Sequence, residues 1–322
     1  MKKKGMKKMD KSMLKYIGKR LLISAITLFV ILFVLFLMTR LMPGSPFNSE
    51  KLSRDQIAIL NAKYGLDKPV IVQFFAYLSN MIKGDFGVSY QLYPDQSVAE
   101  LVMDRAKISF IYGIAATLFG TIVGMALGIF AALKRNTIWD TIATVISVLG
   151  VSIPSFVFAL LMVILFGVNL QWAPVAYNEA QPITSSVLPV LALSMSVIAN
   201  VARFTRTEMI SVLGSEYITL AMAKGLDQKT LILRHALRNA LIPVITILGP
   251  ILVNLMTGTM VVEQICGVPG LGTILINSIH ANDYNIIMAC SFLYAAMYIL
   301  IVLAIDVSYG FIDPRIRLGK GE

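Results

Sequence analysis

The chain of 322 residues is 57% hydrophobic and only 14% charged. That balance excludes a soluble globular protein of this length and predicts an integral membrane protein. The formal net charge of +10 does not require nucleic acid as a partner. Basic residues beside a bilayer set its topology and attract anionic membrane lipid, by about 1 kcal/mol each.

The N-terminal 20 residues carry nine Lys or Arg and precede a long apolar run. They permit two other interpretations, an RNA-binding tail and a cleaved signal peptide. No A-x-A-like cleavage site follows the apolar run before Pro43, which favours an uncleaved first span.

Six uncharged runs are long enough to cross a bilayer, which takes about 20 mostly apolar residues. In chain order they are Leu21–Met38, Ile108–Leu133, Thr141–Leu170, Ile183–Ala202, Ala240–Val262 and Ile286–Ile305. The fourth is the weakest, because several Ser and Thr residues lie in it. We therefore predict an all-α membrane protein with six transmembrane helices.

Basic residues are distributed unevenly among the segments between these runs. Lys and Arg number nine in residues 1–20, two at 134–135, six in 203–238 and three in the C-terminal tail, but none in 171–182 or 263–285. The positive-inside rule then predicts that both termini lie in the cytoplasm of a multi-pass protein of the plasma (inner) membrane.

This topology divides the chain into five parts. They are a basic cytoplasmic N-terminus (1–20), the first transmembrane helix (21–42), an extracytoplasmic helical loop (43–107), a five-helix core (108–312) with a cytoplasmic loop at 203–239, and a cytoplasmic tail (313–322).

The long loop after the first span carries helix signals. Ser53 with Gln56 makes a capping box that opens a short helix, and Gly65 is suited to end it. Pro69 suits the first turn of a second helix, and residues 84–87 (GDFG) predict a turn after it.

Ser97 is then expected to start an amphipathic helix that leads into the second span. This small helical structure has two interpretations that the sequence leaves open. It is a docking surface for an external protein, or a plug over the membrane domain.

Small residues recur every four positions in the second span and make a smooth face for close helix approach. They are Ala116, Gly120, Gly124, Gly128 and Ala132. Packing within the chain is the favoured interpretation, and a subunit interface is the alternative. Pro154, Pro189 and Pro250 predict kinks in three other spans, because proline lacks the backbone donor.

The spans are nearly free of ionisable groups, and Asp140, Glu263 and Asp306 are expected at span ends. A secondary transporter or an intramembrane enzyme would keep functional carboxylates or histidines at mid-membrane. The sequence has no phosphate-binding P-loop and no H-E-x-x-H, and Cys266 and Cys290 fit no ligand spacing. We predict no catalytic residue, no metal site and no cofactor.

The segment 216–243 is polar and basic, although it lies between two apolar runs. It predicts a short helix that ends near Lys224, a break at Gly225, a second amphipathic helix, and a return to the membrane at Pro243. A helix–glycine–helix element has no function in the bilayer itself, so we expect a soluble partner to grip it. An amphipathic helix in the lipid interface is the alternative.

Residues 216–243 resemble the EAA loop of ABC-importer permeases, which has an acidic residue, Ala, then Gly, and later Ile or Leu before Pro. The matching positions here are Glu216, Ala221, Ala223, Lys224, Gly225, Ile242 and Pro243. Further blocks resemble the oligopeptide/dipeptide permease B-subunit family. They are YGLDKPV (64–70), GDFG (84–87), SIPSFVFAL (152–160), LPVLALS (188–194), RHALRNALIP (234–243), PGLG (269–272) and DPRIR (313–317).

Three positions depart from that family's pattern. Met222 stands where Arg is common, Val253–Asn254 lacks a Gly-Gly pair, and Cys266 replaces an aromatic residue. The first departure touches the loop expected to be gripped, and the other two lie near the expected substrate route.

The resemblance implies a type I ABC-importer-like permease whose residues 214–238 act as a coupling helix in a groove of an ATP-binding subunit. The residues implied to couple to the ATPase are Glu216, Tyr217, Ala221, Ala223, Lys224, Gly225 and Leu226. The implied partners are a second homologous permease subunit, two ABC ATPase subunits and an extracytoplasmic substrate-binding protein, and the implied substrate is a short peptide.

Polar residues in the fifth span mark a candidate substrate path. They are Asn254, Thr257 and Thr259, and interhelical hydrogen bonds are their alternative role. The favoured function is import of short peptides, with ATP hydrolysis on partner subunits. The alternatives are a nickel or other small-solute permease of the same family and a self-contained secondary transporter.

Overall fold

The computed structural model describes residues 11–42, 47 and 53–312. The basic residues at 1–10 and the DPRIR block at 313–317 lie outside these residues. Within the described residues the chain is helical, with one isolated antiparallel bridge between Val88 and Ser97.

Twelve helices follow one another in the described part of the chain. They are α1 (Lys11–Leu41), α2 (Arg54–Lys63), α3 (Val70–Ile82), α4 (Val98–Leu133), α5 (Ile138–Ser152), α6 (Ser155–Met162), α7 (Pro182–Leu213), α8 (Glu216–Ala223), α9 (Gln228–Thr230), α10 (Leu237–Ile265), α11 (Leu271–His280) and α12 (Tyr284–Ile312). Wider π-helical turns extend α6 over Val163–Asn169 and join α9 to α10 over Leu231–Ala236.

Four helices are long and apolar enough to cross a membrane, and two bent pairs bring the number of candidate spans to six. The four are Tyr16–Leu41, Val98–Leu133, Pro182–Leu213 and Tyr284–Ile305; the pairs are Ile138–Ser152 with Ser155–Asn169, bent by 104°, and Gln228–Leu241 with Pro243–Met256, bent by 45°. The predicted all-α class is confirmed. The kink predicted at Pro154 in the third span is confirmed, as a bend of 104°.

Pro154 explains the break in the third span. It has no backbone donor, and it disfavours helical geometry at the residue before it. Ile153 is accordingly extended, with φ −88° and ψ 122°, and Pro154 itself caps α6. By contrast, α7 and α10 continue as helices through Pro189 and Pro250.

The described residues up to Val102 and from Asn277 to Ile312 form one compact unit. In it α1 packs against α3 and α12, and the ring of Phe74 meets Phe29, Phe33 and Phe36 edge-on at 5.1–5.6 Å. The predicted capping box is present, because Ser53 and Gln56 each accept the other's backbone N–H. Gly65 follows α2 with φ +68°, as predicted for its end.

The segment after the GDFG turn is held by one carboxylate. Asp283 is fully buried, and its Oδ2 accepts the Ser89 hydroxyl at 2.5 Å. The same oxygen accepts the backbone N–H groups of Tyr90 and Gln91 at 3.0 Å and of Leu92 at 3.2 Å. Four converging donors stabilise a buried charge that would otherwise be costly.

The second unit, Met103–Ile276, is organised around α7, which packs against α5, α6 and α10. The glycines of α4 also lie against it. A Cβ added at Gly120, Gly124 or Gly128 would come within 2.5–2.8 Å of Val197, Ile198 or Ala202. The predicted smooth face is confirmed, and it serves packing within the chain.

Candidate functional site

The segment 214–238, which we call the helix–glycine–helix segment, has the predicted geometry. Helix α8 begins after Ser215 and ends at Ala223, with Lys224 as its C-terminal cap. Gly225 then adopts φ +79°, a left-handed conformation that glycine reaches without strain. The Gly225 N–H donates to Met222 O at 2.9 Å and the Leu226 N–H to Ala221 O at 3.3 Å, which satisfies the last carbonyls of the helix.

The second half of the segment starts with a side-chain cap. The Asp227 carboxylate accepts the Thr230 backbone N–H at 3.0 Å. Hydrogen bonds from the Thr230 side chain and backbone hold the pKa of Asp227 below its usual value. The chain continues through the π-helical turn into α10, and Pro243 lies at the 45° bend.

One buried side chain attaches α8 to the membrane helices. Ile218 is fully buried, and we call its neighbours the anchor cluster. The cluster consists of Ala132 of α4, Met209 of α7, Ile218 of α8, Leu231 and Ala236 of the π-helical turn, and Ala240 of α10. A displacement of α8 would therefore be transmitted to α4, α7 and α10, because packed interiors have low compressibility.

The seven coupling residues named from the sequence divide into two groups. Glu216, Tyr217, Ala223, Lys224 and Gly225 are exposed, whereas Ala221 and Leu226 are half-buried. Ala221 packs against the anchor cluster, so only part of its surface is open to a partner. The Tyr217 hydroxyl accepts the Asn239 amide at 2.9 Å, which links α8 directly to α10.

Sequence reasoning missed Leu220, which is 57% exposed on α8, and noted Met222, which is 51% exposed, only as a departure from the family pattern. Their apolar side chains in a polar segment were the available signal. A hollow of about 460 Å³ beside Met222 is also lined by Leu226 and Ile218, among others.

A second cavity, of about 430 Å³, opens at the break between α5 and α6. We call it the α5–α6 break cavity. It is lined by Val151, Ile153, Pro154, Ser155, Ser196, Asn200, Arg203, Phe204, Ile247, Pro250, Ile251, Asn254 and Leu255. Pro154 has no N–H and so interrupts the helical hydrogen bonds, although the Ile153 N–H still donates to Leu149 O at 2.9 Å. Such a break with polar groups nearby is typical of a water-lined cavity inside a membrane protein.

The three substrate-path candidates have different surroundings. Asn254 is exposed and lines this cavity. Thr259 is buried, and its hydroxyl donates to Met256 O at 2.8 Å within α10. The side chain of Thr257 lies outside the described residues.

Two of the carboxylates expected at span ends are there, but both are buried. Asp140, in the first turn of α5, binds Arg206 of α7. Glu263, in the last turn of α10, accepts the Ser109 hydroxyl at 2.6 Å and the Gly272 N–H at 2.7 Å. Both therefore join helices to each other. The side chain of Asp306 lies outside the described residues.

The helix-rich membrane unit, with its attached helix–glycine–helix segment, defines a membrane-embedded transport component. Family models give the particular family. The model for the binding-protein-dependent transport system inner membrane component matches residues 124–318, and the model for the N-terminal part of such membrane components matches residues 13–109. The chain belongs to this family, and it is a multi-pass membrane protein.

Curated relatives cover nearly the whole chain. It is 41% identical over 306 residues to the dipeptide transport system permease protein DppB of Lactococcus lactis, covering 95% of this chain and 100% of the relative. It is 42% identical, with the same coverage, to the oligopeptide transport system permease proteins OppB of Salmonella typhimurium and Escherichia coli. The resemblance to the oligopeptide/dipeptide permease B-subunit family is thereby confirmed.

A solved structure described as an amino acid ABC transporter with histidines aligns with a TM-score of 0.49 and 16% identity. The alignment covers 65% of this chain and 92% of that one.

Proposed function

We propose that this chain is a permease subunit of an ATP-driven importer of short peptides. The observation that carries the proposal is the helix–glycine–helix segment, whose outer face is open while Ile218 is locked among α4, α7 and α10. The full-length relatives are dipeptide and oligopeptide transport permeases, which supports peptide as the substrate class.

The complete importer in this proposal contains five proteins: this subunit, a homologous permease, two ABC ATPases and an external binding protein. Hydrolysis of ATP takes place on the ATPases, so this subunit is not an enzyme. The distribution of Lys and Arg supports a cytoplasmic location for both termini and for the helix–glycine–helix segment.

The mechanism follows from how α8 is attached. Closure of the two ATPases around ATP displaces the exposed face of α8, which includes Tyr217, Leu220 and Met222. The buried face passes that displacement to three spans through the anchor cluster. The α5–α6 break cavity, which borders α7 and α10, then changes its access from one side of the membrane to the other.

The test begins with purification of this subunit from its native membrane in mild detergent, followed by mass spectrometry of the associated chains. A second permease and P-loop ATPases are expected. The recovered complex is then reconstituted in liposomes with its binding protein, and ATP-dependent accumulation of a tripeptide is measured against accumulation of Ni²⁺.

Accumulation of the tripeptide alone supports the proposal. Accumulation of Ni²⁺ alone would show that the substrate is a small solute and not a peptide. Transport by this chain alone, without ATP, would make it a secondary transporter and overturn the proposal.

A further inference from the structure

Arg203 lies in a helix and not in the loop that the sequence predicted. The fourth span was predicted to end at Ala202, which put Arg203 in a loop. Instead α7 continues to Leu213, and ten residues of helix correspond to about 15 Å. Arg203 lines the same cavity as Pro154 and Pro250, which lie near the middles of the α5–α6 pair and of α10. Arg203 therefore belongs to a candidate span, one helical turn further into it than Arg206.

Arg203 differs from the other arginine in this part of α7. The Arg206 guanidinium is bound by both oxygens of Asp140. Arg203 is exposed to the cavity, and among the residues that the structure describes it forms no ion pair. A cation inside a span is costly, and such residues usually face the bundle interior or a water-filled cavity such as a substrate pathway.

The rest of the lining is suited to an anion. Its other polar side chains are the amides of Asn200 and Asn254 and the hydroxyls of Ser155 and Ser196. The described lining contains no Asp or Glu. Guanidinium presents a planar pair of donors that matches a carboxylate. The Asn254 amide adds further donors, and the Asn200 amide adds the N–H that remains beside its bond to Ser196 O at 2.8 Å.

We propose that Arg203 binds the C-terminal carboxylate of the peptide while it passes the α5–α6 break cavity. This inference rests on the proposed function. A short peptide carries one such carboxylate whatever its side chains, and a bare carboxylate in a low-dielectric passage is strongly disfavoured. A single fixed cation with flanking amides compensates this cost for many sequences, which suits a transporter that must not select strongly by side chain.

The test compares two cargoes in proteoliposomes that contain the complete transporter. The cargoes are tri-alanine and tri-alanine amide, each supplied at a concentration that saturates the unaltered binding protein. Arg203→Gln is expected to lower ATP-driven uptake of tri-alanine at least about tenfold, the size of a lost charge-assisted hydrogen bond. Uptake of the amide should change far less, and Arg203→Lys should retain most of the preference for the free carboxylate.

A second variant neutralises the positive charge of Arg203 without replacing the arginine. Asn200 lies three residues before Arg203 on α7, where side chains of a helix are neighbours. Asn200→Asp should pair with Arg203 and lower uptake of tri-alanine selectively, and by more than Asn200→Ala, which removes a flanking amide but leaves the cation unpaired. ATP hydrolysis stimulated by the loaded binding protein checks that each variant assembles and couples.

Equal losses for both cargoes in Arg203→Gln and in Asn200→Asp would overturn the assignment and make Arg203 a structural residue. Failure of the proposed function has a different signature. In that case the wild-type transporter would accumulate neither cargo when ATP is supplied.

Discussion

The carboxylate of Asp140 and the guanidinium of Arg206 form a two-point ion pair, with Oδ1 2.6 Å from Nε and Oδ2 2.8 Å from Nη2. The contact ties the first turn of α5 to α7, and Asp140 also accepts the Asn136 N–H at 3.0 Å. The side chains are 7% and 30% exposed. This pair therefore fixes the start of the broken third span against the central helix of its unit.

Asp140→Ala is expected to destabilise the protein by about 2 kcal/mol, because it leaves the Arg206 guanidinium partly buried without its partner. Unfolding can be followed with a thiol-reactive dye, since the thiols of Cys266 and Cys290 are both buried in the folded protein. The double variant Asp140→Ala with Arg206→Ala should cost less than the sum of the single ones. Strict additivity would show that the pair contributes nothing.

The glycine contacts between α4 and α7 predict a sharp difference between two similar substitutions. Gly128→Ala would place a Cβ 2.5 Å from Ala202 O, whereas a Cβ at Gly113, on the same helix, has nothing within 4 Å. Overpacking should destabilise Gly128→Ala by about 1–3 kcal/mol. Gly113→Ala should be neutral or slightly stabilising, because alanine favours helix. The same dye assay compares the two, and equal stability would contradict the close packing.

Position 225 should accept only residues that can adopt a positive φ. A Cβ there would meet nothing within 4 Å, so the cost of a substitution comes from the backbone at φ +79°. Gly225→Pro should abolish uptake and leave membrane insertion intact, because proline requires φ near −65°. Gly225→Asn is the matched control, since asparagine reaches the left-handed region. Undiminished uptake by Gly225→Pro would remove the coupling role of the segment.

Glu216→Lys tests the same segment by charge. Glu216 is exposed in the first turn of α8, where an acidic side chain favours the helix dipole and a basic one opposes it. We expect the variant to lose uptake and stimulated ATP hydrolysis while it still inserts into the membrane. Normal stimulation of the ATPases by the loaded binding protein would count against contact at Glu216.

Asp283→Asn should loosen the chain around Ser89–Leu92. The asparagine oxygen is uncharged, and the amide that replaces the other oxygen adds donors to a site where four donors already converge. Hydrogen exchange at the N–H groups of Tyr90, Gln91 and Leu92 should rise by about tenfold or more. Asp95→Asn, at an exposed position with φ 63°, is the control and should leave that exchange unchanged.

The local features of this protein were predictable because each depends on a few consecutive residues. The capping box at Ser53 and the turn at Gly225 were both read from short motifs, and both are present. The position of the break at Pro154 was also predicted correctly from the sequence. Its angle of 104° had to come from the structure, because the same proline chemistry leaves α7 continuous at Pro189.

The sequence by itself determined the membrane class, the six apolar runs, the small-residue face of α4 and the helix–glycine–helix segment, since composition and short-range periodicity specify all of these. Only the tertiary structure decided which polar groups meet. It pairs Arg206 with Asp140 across 66 positions, buries Glu263 against Ser109, and leaves Arg203 open to a cavity. Such contacts depend on how separate helices pack. Arg203 and Arg206 are only one helical turn apart on α7, yet Arg206 forms an ion pair and Arg203 faces a cavity.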